Sequence, residues 1–197
     1  SRRKELCLFK RANYSGKKRI LFYDINGLSY AGTQKNLQIL AKYLDKEKYE
    51  VFFMYSSKNH SERKGYLENS GIHLIDFYYK SVENKLPFYI TGMKPHIFDV
   101  IKDHKIDLFV TAGSGYPEFP TANITKLPII FINVFGSVTV QKNIKKHVCM
   151  SHLLVNIINK CIPNKKIEIL YIPSEGPVGN SVESGEDLRK KLGFNDN

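Results

Sequence analysis

What most constrains this chain is the setting of two glycines near its start. Lys18 to Ile25 is an apolar, β-rich run without alternation, the pattern of a strand buried on both faces. Asn26-Gly27-Leu28-Ser29-Tyr30-Ala31-Gly32 follows, and then Leu37, Leu40, Ala41 and Leu44 recur at the spacing of one helical face. Thr33 stands where a cap for that helix is expected. A strand, a glycine loop and a helix start form a site for an anion. The first helical amides have no intrahelical partner, and the helix dipole is positive there. A plain βα turn that uses glycine for backbone freedom fits the same residues. Gly27 and Gly32 have the spacing of P-loop glycines. Thr33-Gln34 occupies the place of the Lys and Ser/Thr of that motif, which argues against phosphoryl transfer from ATP. The dinucleotide fingerprint G-x-G-x-x-G is absent from this loop.

Beyond the first helix, strands and helices alternate. Strands are expected at Tyr49–Tyr55, Ile72–Tyr78, Asp107–Ala112, Pro128–Val134, Lys146–Met150 and Ile167–Ile172. Short helices are expected over Glu62–Asn69, closed by Gly71, and within Tyr116–Thr125. A third has Pro95 in its first turn and Ile97, Val100, Ile101 and His104 along one face. A fourth is capped by Ser151, with Leu154, Val155, Ile158 and Cys161 on one face. Lys80 to Lys94 mixes polarity around Pro87 and Gly92 and is left unassigned. No hairpin signal joins neighbouring strands, so the pattern predicts a doubly wound α/β fold with a mainly parallel sheet. Ligands of such sheets sit outside the carboxyl ends of the strands. The loops expected there are 26–32, 113–116, 135–137 and 174–176, and all four contain glycine.

The net charge of +11 is uneven. Residues 1–19 hold eight basic side chains against Glu5 alone, +7 of that total. Such an arm suits an anionic membrane surface, or serves as a solvated leader. No aromatic RNA-binding motif or zinc-finger spacing supports a nucleic-acid partner. Cys7, Cys149 and Cys161 form no C-x-x-C pair, which predicts a reducing, cytoplasmic compartment without a disulfide framework. His60, His73, His96, His104, His147 and His152 lack metal-binding spacings, so no metal site is expected. Ser114 lies between glycines but does not match the G-x-S-x-G elbow.

The run Ile20-Leu21-Phe22-Tyr23, Ala31-Gly32-Thr33-Gln34, Leu40-Ala41-Lys42-Tyr43-Leu44 and Tyr49-Glu50-Val51 resembles the opening of family 4 glycosyltransferases. Their pattern is a strand, a G-G-[TA]-[EQ] loop, an L-A-x-x-L helix and a strand after Y-x-V. Lys146 to Ser151 looks like the strand-then-Ser of that family. Ile169 to Pro173 looks like its V-I-P-N-G exit strand, and Asp187 to Phe194 like its L-R-x-x-L-G-I segment. The resemblance covers nearly everything from Lys18 onward.

The resemblance implies the N-terminal half of a GT-B fold: a Rossmann-like, doubly wound α/β domain over 18–176. Residues 1–17 would be a basic arm, and 177–197 a linker towards a donor-binding domain that the chain lacks. It implies transfer of a sugar, with retention, from a nucleotide-sugar donor to a glycan or lipid-linked acceptor, with no separate cofactor and no activity from this half alone. Ala31, Gly32 and Thr33 would meet the donor phosphates through backbone N–H groups. Ser114, Tyr116, Glu118, Phe135, Gly136 and Ser137 would line the acceptor side. Glu118 would bind an acceptor hydroxyl and Tyr116 would stack on a sugar ring; a solvated carboxylate and simple packing are the alternatives. Two departures from the family stand out. Ala31 replaces the first glycine of the pair, and Phe135-Gly136-Ser137 carries no His where many members have one. No catalytic residue is therefore assigned. The alternative of a different class is a non-catalytic Rossmann-like module that binds a nucleotide or phosphate or serves as an interaction platform.

Overall fold

The computed structural model describes residues 16–81, 90–113, 121–124, 126–134, 143–163 and 167–171. The basic arm up to residue 15 and the linker 177–197 lie outside the described residues.

Seven strands form one parallel sheet: β1 (Lys18–Asp24), β2 (Tyr49–Tyr55), β3 (His73–Asp76), β6 (Leu108–Gly113), β7 (Ile129–Asn133), β8 (Ile144–Cys149) and β9 (Ile167–Ile169). Their order is β3-β2-β1-β6-β7-β8-β9, and every neighbouring pair is parallel. The fold is thus the doubly wound, Rossmann-like class. The side chains show why. Ile20 and Phe22 pack on one face with Leu37 and Ala41 of α1 (Gly32–Tyr43) and Leu67 of α2 (Lys64–Glu68). Leu21 and Tyr23 pack on the other with Ile97, Val100 and Ile101 of α3 (Ile97–Asp103). Cys149 packs against Leu154 and Ile158 of α4 (His152–Cys161). A central strand covered on both faces needs apolar residues at every position, which is how β1 reads.

Three local expectations are corrected. The expected strand 72–78 is two strands. β3 stops at Asp76; β4 (Tyr78–Ser81) then pairs antiparallel with β5 (Ile90–Lys94) in a separate two-stranded sheet. Phe77 makes the break. Its N–H donates to the Tyr55 carbonyl at 2.9 Å, and its buried ring stacks on Tyr23 at 5.5 Å between centroids. Tyr79 and Met93 of the hairpin join the same core. Pro95 lies outside its helix, because His96 is the cap: its Nδ1 accepts from the Phe98 N–H at 3.3 Å. Thr33 does not cap α1, which begins at Gly32, two residues earlier than a Thr33 cap would place it, with Ala31 in the cap position. Ser29 Oγ accepts from the Ala31 N–H at 3.2 Å, so the loop closes before Thr33. Ser151 does cap α4, accepting from the Leu154 N–H at 3.3 Å. Gly71 follows α2 with φ +67, as a C-terminal glycine should. The expected helix within 116–125 is described only as a 3-10 turn over Thr121–Asn123.

The end of α1 carries a feature that helical spacing does not announce. Lys46 Nζ donates to the carbonyls of Ala41, Lys42 and Leu44 at 2.7, 2.8 and 3.0 Å. These include carbonyls that the helix end leaves without partners. Lys46→Met should therefore lower stability by about 1 kcal/mol, measured by urea unfolding, without changing the slope of the transition.

Candidate functional site

Strand order runs outward in opposite directions from β1 and β6. The crevice of a doubly wound sheet opens at that reversal, outside the carboxyl ends of the two strands. Here those ends are Asp24 and Gly113.

The loop leaving β1 is fixed by close backbone approach. Gly27 has φ +84, and a Cβ there would collide with the His60 carbonyl oxygen and lie 2.8 Å from the Ser56 carbonyl oxygen. The Leu28 N–H donates to the His60 carbonyl at 2.9 Å, and the Arg63 N–H to the Leu28 carbonyl at 3.0 Å. Only glycine permits this conformation and this contact together. Behind the loop, Arg63 Nε donates to Gln38 Oε1 at 2.7 Å, and Gln38 Nε2 to the Ser29 carbonyl at 3.1 Å. Arg63 and Gln38 are buried. The guanidinium lies 4.0 Å from the Tyr66 ring centroid and 5.3 Å from that of the exposed Tyr30. Cation, amide and loop carbonyl form one connected chain that holds residues 28–31 in place.

This anchoring leaves the start of α1 open. The first helical bond runs from the Lys35 N–H to the Ala31 carbonyl, at 2.8 Å. The amides of Gly32, Thr33 and Gln34 precede it and make no hydrogen bond among the described residues. Ala31 supplies no side-chain cap, and the first turn holds no acid. Ala31 and Gly32 are exposed, Thr33 half-buried, and a Cβ on Gly32 would meet nothing within 4 Å. The structure thus brings Ala31, Gly32 and Thr33 together at an uncapped helix start, but the Ala31 N–H is taken by Ser29 Oγ, so of the three expected amides only those of Gly32 and Thr33 are open, and the amide of the buried Gln34 is the third.

Asp24 lies behind it. Only 6% exposed, it accepts from the Asn26 N–H through Oδ1 at 2.8 Å, while buried Oδ2 has no hydrogen-bond partner. Burial pushes its carboxyl from an ordinary 3.8 up to about 7, against the Asn26 backbone and the side chains of Gln34 and Asn26, which pull it down. Gln34 belongs to the first turn of α1. Its burial at the sheet's switch point, with the carboxyl pushed well above the ordinary carboxylate range, makes Asp24 a candidate for a functional role. Sequence reasoning missed it. The signal was there: a lone acid closing an otherwise apolar strand. Arg63 and Gln38 had no such signal, since only the fold brings them to the loop.

The acceptor-side candidates Ser114, Tyr116, Glu118, Phe135, Gly136 and Ser137 lie outside the described residues. What precedes two of those loops is described. Thr111 Oγ1 donates to the Tyr23 carbonyl at 3.1 Å, tying β6 to β1. Asn133, fully buried at the end of β7, donates to the carbonyl of Val148 at 3.2 Å. Among the described residues no cluster of His, Cys, Asp and Glu could hold a metal ion. No described helix is long and apolar enough to cross a membrane. Cys149 is a buried free thiol that burial pushes up to about 11, and Cys161 is an exposed one.

A cleft of about 740 Å³ opens at the opposite, amino ends of β1–β3. Arg19, Glu50 and His73 in its walls are engaged with one another. Arg19 Nε meets Glu50 Oε2 at 2.6 Å, Arg19 Nη1 donates to the His104 carbonyl at 3.0 Å, and His73 Nε2 lies 3.5 Å from Glu50 Oε1. It holds the sheet's lower edge together and lies far from the switch point.

Compared with protein-family models and with curated protein sequences, the chain matches none.

The two glycines should behave differently. Gly27→Ala should cost about 2–4 kcal/mol, because it adds positive-φ strain to a backbone collision. Gly32→Ala should change stability by less than about 1 kcal/mol. Denaturant unfolding of both variants checks this. The Asp24 shift has a sign of its own. A raised carboxyl favours folding below about pH 4, and that contribution is lost as pH rises to about 7, at about 1.4 kcal/mol per unit. Asp24→Asn should remove this slope from the pH profile of unfolding free energy and gain stability, relative to the parent, above pH 7.

Proposed function

We propose that this chain forms the acceptor-side domain of a two-domain, GT-B-type glycosyltransferase. In this reading the open start of α1 meets the diphosphate of a nucleotide-sugar donor. A glycan or lipid-linked acceptor lies in the crevice between the carboxyl ends of β1 and β6. The observation that carries the reading is the set of unbonded amides at the start of α1 beside the switch point, on the exposed Gly32, the half-buried Thr33 and the buried Gln34. Three such donors with the helix dipole behind them suit a phosphate and need no lysine. They also suit the leaving diphosphate of sugar transfer, on which negative charge grows as the glycosidic bond to the donor breaks. The sequence resemblance supports the same reading through Ala31-Gly32-Thr33-Gln34 and the order of the later segments. The basic arm would hold the enzyme against an anionic membrane surface on which a lipid-linked acceptor is presented.

Gly32→Val tests the reading. The position is open, so the fold should tolerate the side chain, with the melting temperature moving by no more than about 3 °C. The branched side chain would stand where the phosphate approaches. Affinity for a nucleotide sugar, measured by calorimetric titration, should fall about tenfold or more. Unchanged affinity in a well-folded variant would overturn the role of this loop in donor binding.

A further inference from the structure

The sugar-transfer reading leaves the cleft at the amino ends of β1–β3 unused. Its base is apolar: Phe52 is buried there, and Leu74 and Ile75 are half-buried. The rings of His73 and His104 lie against Phe52, with centroids 4.8 and 4.9 Å away. Its described walls carry three carboxylates, Glu50, Glu68 and Asp103, and the guanidinium of Arg19. Glu50 is engaged with Arg19 and His73. Glu68 is exposed, with Oε1 3.5 Å from Lys64 Nζ. Asp103 is exposed and has no ion pair among the described residues. β3 is also the last strand of its sheet, and no strand lies beyond it among the described residues. Such an edge accepts an extended segment, which gains main-chain hydrogen bonds and sets alternate side chains into the groove beside it.

In a chain of net charge +11, an apolar cleft with acids at its rim suits a segment that is apolar in the middle and basic at both ends. Arg2-Arg3-Lys4-Glu5-Leu6-Cys7-Leu8-Phe9-Lys10-Arg11 has that composition. It is also tethered at the right place. The Lys18 N–H, at the start of β1, donates to the Lys48 carbonyl at 3.1 Å, and Arg19 lines the cleft itself. A strand added outside β3 would lie three strand spacings from β1, about 14 Å. Residues 10–17 span up to about 26 Å when extended, so the tether reaches. A short tether also raises the local concentration of the segment to about millimolar, where modest contacts suffice.

We propose that this cleft is the docking groove of the chain's own basic arm, with Leu6–Phe9 along the outer edge of β3 and the flanking basic side chains facing Glu68 and Asp103. The docking does not depend on the sugar-transfer reading. It has a consequence for the membrane reading: the carboxylates of the cleft compete with an anionic surface for the same basic side chains.

Amide hydrogen exchange of the full chain, followed residue by residue by NMR, tests the proposal. In the parent protein residues 6–9 should exchange about tenfold or more slowly than the same sequence in an unstructured peptide. Glu68→Lys/Asp103→Lys reverses two exposed charges at the rim, and this protection should be lost while the exchange of the β1 amides stays unchanged. Lys4→Glu/Lys10→Glu, which leaves the folded core untouched, should lose it as well. Combining the two pairs exchanges the charges across the contact, and protection should return to within about threefold of the parent. A parent arm that exchanges like the free peptide would overturn the docking. So would protection that survives either charge reversal, or that the combined variant fails to regain. Protection that fades on dilution, with a dimer in sedimentation, would give the groove to the arm of a second copy and overturn docking within one chain.

Discussion

β1 is hydrogen-bonded on both edges and covered by side chains on both faces. The chain can leave such a strand only at its end, and everything near the candidate site follows from how it does so. Asp24, the last residue of the strand, is still buried. The backbone must then turn steeply upward to start α1 on one face of the sheet. Gly27 achieves this by lying directly on the backbone of His60 and Ser56, a contact that no side chain permits. The loop is therefore rigid for a steric reason before any hydrogen bond is considered.

The hydrogen bonds then decide where the rigid loop points. A buried arginine is costly unless its donors are engaged and its charge is shared. Arg63 meets that cost with Gln38 and with the face of Tyr66. Gln38 passes the constraint to the Ser29 carbonyl, and the Ser29 hydroxyl takes the Ala31 amide. The last polar group before the helix is thus spent inside the loop. No side chain remains to cap α1, whereas α3 and α4 are capped by His96 and Ser151. An uncapped helix start forgoes about 1 kcal/mol of local stability, and what it gains is a set of donors open to a ligand.

Much of this architecture was legible in residue patterns. The unalternated apolar runs of β1 and β7 announced strands with two covered faces, and their alternation with helices announced a parallel, doubly wound sheet. The glycine loop and the helix after it were correctly located, and so was the Ser151 cap. Patterns failed where a single side chain's destination mattered. Ile72 to Tyr78 reads as one strand, because nothing local says that Phe77 will leave the edge of the sheet to stack on Tyr23. Thr33 reads as a cap, because nothing local says that Ser29 will close the loop two residues before it. Gly32 and Gly27 look equivalent in the sequence, yet only Gly27 has a left-handed backbone and a collision awaiting its Cβ.

What the sequence determined by itself was the class of fold, the places of the seven strands of the parallel sheet and the glycine loop at the start of the first helix. These depend on period and on glycine, which act over a few residues. The sequence marked Asp24 as a lone acid closing an apolar strand, but only the tertiary structure buried it there and brought Arg63 to the loop. Arg63 is distant from the loop in sequence and reaches it only because β2 lies beside β1. Asp24 is an ordinary acid until the packed sheet and α1 exclude water from it. Desolvation and long-range contact are properties of the assembled core, and no local pattern of residues carries them.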